Sequence, residues 1–234
     1  MSTLAQFRLA VSSVIGTNST AGGAEEALVD KWVNQGVVDF LLQTRCNINV
    51  GTITLTAGAG DYTLGTAVMG IQDVTYQASA ATTTSRLIRT TPDEILNMRQ
   101  SASSTLSVVG YYALNGNDLL MLFPTPETAD TVTVYYTPRP TALSVSSHDP
   151  SNDAYGGIPS EYHDAIEFYG MWKAADFDDD QSSKVGLVYR QYYDDKVRQY
   201  KRAIRLKGGR SLGRVFVGRR GLRAGNRSQD IGVW

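Results

Sequence analysis

The hydrophobic period of this chain changes twice, near residue 48 and again near residue 142. In the outer segments, apolar residues recur at three-and-four spacing, which is typical of amphipathic helices. Between residues 52 and 141 they alternate, and this part holds 18 of the 22 threonines, which suits a pleated, half-exposed surface. The pattern predicts an α+β fold in which strands are inserted between helices.

Four helices are predicted outside the insertion. They run from Leu4 to Gly16, from Ala24 to about Arg45, from about Pro159 to Phe177, and from about Ser183 to Lys207. In the third, the spacing turns inward Tyr162, Ala165, Ile166, Tyr169 and Trp172. In the fourth, the residues predicted to face inward are Val185, Tyr189, Tyr192, Val197, Tyr200 and Ile204.

Strand signals fill the insertion. Thr52–Thr56 alternates, a turn over 58–61 follows, and Tyr62–Leu64 is expected to return beside it. Val68–Tyr76, Arg86–Arg89 and Thr131–Thr137 are further strands, and Asn115-Gly116-Asn117 predicts a hairpin joining residues 106–114 to 119–123. The capping-box sequence that starts at Thr91 predicts one short helix, Thr91–Arg99.

These signals divide the chain into four parts. Residues 1–47 and 142–207 supply the N-terminal and C-terminal helices of a small helical bundle, and residues 48–141 form an inserted antiparallel β domain, the β lobe. Residues 208–234, the basic tail, are rich in arginine and glycine and follow no helical period. We expect this tail to be extended because it cannot form a core of its own.

Charge is divided unevenly between the body and the end of the chain. The whole chain has a formal net charge of −1, but residues 1–200 carry 12 Lys/Arg against 22 Asp/Glu, whereas residues 201–234 carry ten against one. The body is therefore acidic and the end strongly basic. This difference predicts that the two parts have different partners.

Several classes of chemistry are poorly supported by the sequence. One cysteine, Cys46, excludes a disulfide framework, and two histidines leave too few ligands for a familiar zinc site. We interpret Cys46 as an ordinary buried residue and His163 as a helix-surface or interface residue, since no nucleophile motif accompanies it. No stretch reaches 18 apolar residues and no signal peptide is evident, so synthesis in the cytoplasm is expected.

The sequence also does not match the motifs that bind calcium or phosphate. The aspartates at 176 and 178–180 resemble a calcium loop only superficially, because Gln181 stands where glycine is needed and Leu187 where a bidentate glutamate belongs. The glycines at 58, 60 and 65 match no phosphate-binding spacing. We therefore expect no enzymatic activity, no cofactor and no metal.

The order of several motifs carries a family resemblance. LVDKWVNQGVVDFLLQTR precedes a strand pair with Gly60-Asp61-Tyr62, a hairpin ending at Pro124, VTVYYTPRPTALS, and a helix start Ile158-Pro-Ser-Glu-Tyr-His163. Over roughly residues 20–207, this order resembles the head-to-tail adaptor proteins of tailed bacteriophages, also called head-completion, connector or tail-tubular proteins. The resemblance implies a virion protein at the head-to-tail interface that forms a ring, typically of twelve copies, beneath the portal protein. It further implies that the helices dock on the portal, that the β part faces the next tail component, and that genomic DNA passes along the axis without sequence-specific binding.

The basic tail is the predicted portal contact. Extended at about 3.3 Å per residue, its 27 residues span roughly 90 Å, enough to reach beyond its own subunit. In this hypothesis apolar residues add a strand edge or fill pockets while arginines pair with carboxylates. The residues assigned to this contact are Arg210, Arg214, Val215, Phe216, Val217, Arg219, Arg220, Arg223 and Trp234.

Two alternatives compete with this interpretation. The tail could be a solvated extension, or its arginines could bind phosphates in a DNA-binding or packaging-associated protein. The acidic body argues for portal contact, because a conduit with net charge −10 over residues 1–200 repels the duplex that it surrounds. Separately, Tyr189, Tyr193 and Tyr200 are assigned mainly to packing, with a role between subunits as the alternative.

Overall fold

The α+β class is confirmed by a computed structural model, which describes residues 2–15, 24–65, 68–79, 83–101, 108–116, 118–177 and 183–207. Its helices are α1 (Leu4–Ile15), α2 (Ala24–Thr44), α3 (Pro92–Ser101), α4 (His163–Phe177) and α5 (Ser183–Lys207), with short 3-10 turns at Asp153–Tyr155 and Ser160–Tyr162. Its strands are β1 (Asn49–Thr54), β2 (Asp61–Thr63), β3 (Val68–Gln77), β4 (Ser85–Arg86), β5 (Ile88–Arg89), β6 (Tyr111–Asn115), β7 (Leu119–Phe123) and β8 (Thr131–Pro138). No helix in these ranges is both long and apolar enough to cross a membrane.

The strands form two four-stranded sheets. The first has the order β1-β8-β3-β4 and the second the order β2-β7-β6-β5. The predicted pairing of β1 with β2 is wrong, because β1 pairs with β8 and β2 pairs with β7 in the other sheet. The sheets are mainly antiparallel, but β5 lies parallel to β6, which the prediction of an antiparallel lobe did not include.

Both sheets contribute to one hydrophobic core. Val74, Val132 and Val134 of the first sheet join Leu120 and Leu122 of the second in a single buried cluster. The alternate residues of β7, Met121 and Phe123, point away from this core and pack with Ile95 of α3. Because β7 is covered on both faces, its sequence LLMLF is apolar throughout.

The predicted hairpin and capping box are both present. β6 and β7 pair antiparallel with Asn115 opposite Leu119, and Gly116 in the turn has a φ of 68°. At the start of α3, the Glu94 amide donates to Thr91 Oγ1 at 3.3 Å, and the Thr91 amide donates to Glu94 Oε2 at 3.2 Å. This reciprocal pair satisfies amides that the first helical turn leaves without partners.

The four remaining helices share a second core. Phe7 of α1, Val33 and Phe40 of α2, Ile166 of α4 and Val197 of α5 belong to one buried cluster. In α5 the predicted inward face is partly wrong: Tyr192 is 49% exposed and Ile204 is also exposed, while the adjacent Tyr193 is buried. The cluster of the helical bundle and that of the β lobe are separate, and the exact domain boundaries stay a prediction.

Helix α1 is held by ionic and backbone contacts. Arg8 forms a two-point pair with Asp30, from Nε to Oδ1 at 2.7 Å and from Nη2 to Oδ2 at 2.6 Å, and it also contacts Glu26. The Leu4 amide donates to the His148 carbonyl at 2.9 Å. These contacts join the first helix to α2 and to the loop that leaves the β lobe.

His163, predicted to be a helix-surface or interface residue, is buried inside the subunit. It is 1% exposed, and its Nδ1 accepts the Ser2 amide at 3.1 Å while its Nε2 lies 3.0 Å from the Ile158 carbonyl. Each ring nitrogen therefore has a backbone partner, so the imidazole fixes the N-terminal segment against the start of α4.

Candidate functional site

The portal-contacting residues assigned from sequence lie outside the described residues. They are Arg210, Arg214, Val215, Phe216, Val217, Arg219, Arg220, Arg223 and Trp234. What the structure does describe is the helix that leads into them. The last turns of α5 carry Lys201, Arg202 and Arg205, all exposed and without an ion pair to any described residue. The positive charge of the tail thus begins on an ordered helix, where cations also interact favourably with the C-terminal dipole.

The three assigned tyrosines of α5 do not share one environment. Tyr193 is 1% exposed, and its hydroxyl donates to Asp39 of α2; burial, followed by this carboxylate, raises its pKa far above the usual value. Tyr200 is 8% exposed and stands edge-on to Phe40 with ring centroids 5.6 Å apart. Both tyrosines pack inside the subunit, which leaves the half-buried Tyr189 as the residue for which contact with another subunit stays a proposal.

An apolar strip on α5 is the clearest candidate interface among the described residues. Leu187 is 54% exposed, and Val188 and Tyr192 on the same stretch of the helix are also exposed. Below them, the Phe168 ring of α4 lies 5.3 Å from the Tyr192 ring. The sequence analysis missed Leu187 and Val188 as interface residues; their signal was that both apolar side chains lie outside the helical face predicted to point inward.

A groove of about 600 Å³ lies between α2 and α4 on another side of the bundle. It is lined by Lys31, Asn34, Gln35, Val38, Asp39, Leu42, Tyr169 and Lys173. Beside it, Lys173 Nζ lies 3.9 Å from the centroid of the Trp172 ring, and the guanidinium carbon of Arg190 lies 5.1 Å from that centroid. Trp172 was predicted to face inward only, but here it is half-buried and contacts two cations.

Metal-binding groups are not brought together in the part of the chain that the structure describes. No set of three His, Cys, Asp or Glu side chains there could hold a metal ion. Of the acidic run, Asp176 is described and exposed, whereas residues 178–180 lie outside the described ranges. Cys46 is half-buried rather than fully buried, and burial raises the pKa of its thiol, which favours the protonated form.

Comparison with known proteins identifies the family. The model of the SU10 adaptor protein family matches residues 2–215. Among solved structures, a chain from "Neck of empty GTA particle computed with C6 symmetry" is 13% identical with a TM-score of 0.26, over 72% of this chain and 74% of that one. No curated protein matches.

The class of protein defined by the family match is a bacteriophage adaptor, a structural component of the virion. The chain belongs to the SU10 adaptor protein family, whose model covers nearly its whole length. The resemblance that the motif order carries, to the head-to-tail adaptors of tailed phages, is thereby confirmed.

Proposed function

We propose that this adaptor assembles into a ring beneath the portal, with about twelve copies, extends the DNA channel and supports the next tail component. The observation that carries the proposal is the exposed apolar strip of α5. Leu187, Val188 and Tyr192 are exposed and lie outside the buried cluster of the helical bundle. Exposed apolar surface on an assembly protein is most economically explained by burial against a neighbouring copy.

Charge supports the same assignment. Residues 1–200 carry a net charge of −10, so a ring of such bodies presents a repulsive wall to the DNA that passes through it. The family match itself indicates a structural role, and on this proposal the protein acts by geometry and contact surfaces, without catalysis and without sequence-specific DNA binding.

Native mass spectrometry of the full chain, alone and mixed with portal-bearing heads, tests the ring. We expect a ring whose mass is an integer multiple of the 25.5 kDa subunit, at least in the sample that contains portal-bearing heads. A double change, Leu187→Ser with Val188→Ser, is expected to shift the population to monomers, because it removes apolar area from the strip without touching the core. Gln191→Ser, an exposed change on the same helix, is the matched control. A ring that forms equally well in the double variant would contradict this interface.

We further propose that the basic tail supplies the portal contact, through Arg210, Arg214, Arg219, Arg220 and Arg223. Ending the chain at Lys207 is expected to weaken docking on portal-bearing heads by roughly a hundredfold, the loss expected from about two charge-assisted pairs. Replacing Val215, Phe216 and Val217 by serine keeps every charge and separates the contribution of pockets from that of ion pairs. The measurement is co-sedimentation with heads, and equal docking of the truncated chain would contradict the proposal.

The alternative function is DNA binding or packaging through the same arginines. It is supported by the ten positive charges among the last 34 residues. It predicts that the full chain binds duplex DNA with an affinity that falls steeply with salt, and that the chain ending at Lys207 does not. A small DNA-bound species with no ring would favour this alternative over the adaptor ring.

A further inference from the structure

A cleft of about 370 Å³ opens at one corner of the β lobe, where the chain passes from the first sheet to the second. The crossing residue is Leu87, which is buried in the lobe core and whose amide donates to the Val74 carbonyl at 2.9 Å. The next amide, of Ile88, donates instead to the Gly110 carbonyl in the other sheet at 2.8 Å. The two sheets therefore separate at this point and leave a gap between β3, β4, β5 and β6.

Positive charge is concentrated in this cleft. Arg86 and Arg89 are two of only four basic residues between positions 48 and 141, a segment that carries seven acidic ones. Arg86 Nε donates to Asp73 Oδ1 at 2.8 Å, so its charge is already opposed by a carboxylate. Arg89 is exposed and has no ion pair among the described residues, which leaves one uncompensated cation beside the cleft.

A tyrosine hydroxyl group lines the same cleft. Tyr112 is 3% exposed as a whole residue, and its hydroxyl, which donates to no described residue, is not among the fully enclosed polar atoms. Burial raises the pKa of this hydroxyl, and Arg89, Asp73 and Arg86 are all close enough to influence it. A neutral tyrosine is a hydrogen-bond donor, and this hydroxyl is open to an acceptor that enters the cleft. The cleft thus presents a cation and a donor, which together suit an anionic oxygen.

The backbone beside the cleft suits an extended polypeptide. β5 is the edge strand of the second sheet. The amides of Ile88 and Thr90 donate to β6, so the amide and carbonyl of the intervening Arg89 face the open side, since successive groups alternate along a strand. Ile88, which lines the cleft, is 58% exposed and offers apolar contact. Edge strands with free backbone groups accept a further strand from a partner.

We propose that this cleft binds an acidic side chain on an extended segment of a partner polypeptide. The carboxylate accepts from the Arg89 guanidinium and the Tyr112 hydroxyl, while the partner's backbone pairs with the edge of β5. A DNA phosphate offers similar oxygens, but a duplex brings many charges at once to a lobe that is acidic overall, with Asp73 at the site itself. The chemistry of the cleft therefore favours an acidic peptide.

The experiment uses the full chain and a fluorescein-labelled, capped pentapeptide of threonine, valine, glutamate, valine and threonine. Fluorescence anisotropy is expected to show saturable binding in the millimolar range or tighter. Arg89→Gln is expected to weaken binding about tenfold, and Tyr112→Phe, which keeps the buried ring, about fivefold. Arg139→Gln removes one charge from an exposed position elsewhere in the same segment and is the matched control, with no change expected.

Several outcomes would overturn the proposal. These are the absence of saturable binding, equal binding by Arg89→Gln, and equal binding of a peptide in which glutamine replaces glutamate. Displacement of the peptide by inorganic phosphate with the same dependence on Arg89 would also overturn it, because it would identify a phosphate site. Thermal unfolding of each variant shows whether it is folded. If the Tyr112 variant does not fold, the Arg89 variant still tests the proposal, because Arg89 is an exposed side chain.

Discussion

Replacing Asp130 by alanine is expected to lower the free energy of unfolding of the β lobe by about 3 kcal/mol. Asp130 is 2% exposed, and its carboxylate accepts three hydrogen bonds: from the Tyr76 hydroxyl at 2.5 Å, the Thr128 hydroxyl at 2.6 Å and the Ser79 amide at 2.7 Å. Its carbonyl also accepts the Leu55 amide at 2.8 Å. The residue thus joins the ends of β1, β3 and β8, and its removal leaves three donors without an acceptor.

Urea unfolding followed by circular dichroism measures this loss, since the three tryptophans, at 32, 172 and 234, all lie outside the β lobe. Glu127→Gln is the matched control, since Glu127 lies three residues earlier in the same loop but is exposed, and we expect a change within about 0.5 kcal/mol. A fall of less than about 1 kcal/mol in the Asp130→Ala variant would mean that water satisfies the three donors, and that the buried carboxylate does not organise this end of the sheet.

The same carboxylate makes the stability of the β lobe depend on pH in the acid range. Hydrogen bonds from Thr128 and Tyr76 lower the pKa of Asp130 to about 2 in the folded state. Because the folded pKa is lower than the unfolded one, the stabilisation is complete above about pH 4 and is lost as the pH falls toward 2. The difference in stability between the natural chain and the Asp130→Ala variant is therefore expected to shrink over that interval.

The sequence predicted the elements of this fold more securely than their partners. The alternation at Thr52–Thr56 and at Tyr62–Leu64 correctly indicates strands, yet the two belong to different sheets. Period-2 alternation shows that one face of a strand is buried, but it contains no information about which strand lies beside it. In a sandwich, a short turn can lead from one sheet to the other, and only the packing of both sheets on one core decides this.

A shift of one residue explains the error on α5. Tyr192 and Tyr193 are chemically identical neighbours about 100° apart on the helix, and the predicted inward face chose the first. The structure buries Tyr193 because Asp39 of α2 accepts its hydroxyl, a partner 154 residues away. His163 is a similar case, since the Ser2 amide that pairs with its buried ring lies 161 residues away. Local periodicity contains no information about such distant partners, although buried polar residues depend on them for hydrogen bonds.

The Gly60-Asp61-Tyr62 motif that carried part of the family resemblance has a physical basis in Arg99 of α3. Arg99 Nη2 donates to the Gly60 carbonyl at 2.9 Å, to Asp61 Oδ1 at 2.7 Å and to the Leu122 carbonyl at 3.0 Å. The Tyr62 hydroxyl donates to the Ala59 carbonyl at 2.8 Å and accepts the Thr56 amide at 3.0 Å, which fixes the turn before β2. The motif therefore provides hydrogen-bond acceptors for one arginine and stabilises one turn.

Gly60→Ala is expected to cost about 2 kcal/mol in the natural chain and close to nothing once Arg99 is removed. A Cβ at position 60 would lie 2.4 Å from Arg99 Nη2, so the guanidinium has to withdraw from its three acceptors. Arg99→Ala alone should cost about 3 kcal/mol, because it leaves the carboxylate and two carbonyls without this donor and uncovers the helix contact. The double variant should then be no less stable than Arg99→Ala.

The natural chain, the two single variants and the double variant form a double-mutant cycle. This cycle separates the steric cause from the intrinsic effect of adding a methyl group to a loop. Gly65→Ala supplies the control, since no atom lies within 4 Å of a Cβ built there, and a stability change within about 0.5 kcal/mol is expected. If the two costs at Gly60 and Arg99 were simply additive, the glycine would be required for another reason and the guanidinium would not set its identity. A coupling of about 2 kcal/mol would instead show that Arg99 of α3, which is inserted between β5 and β6, reaches its acceptors because residue 60 has no Cβ.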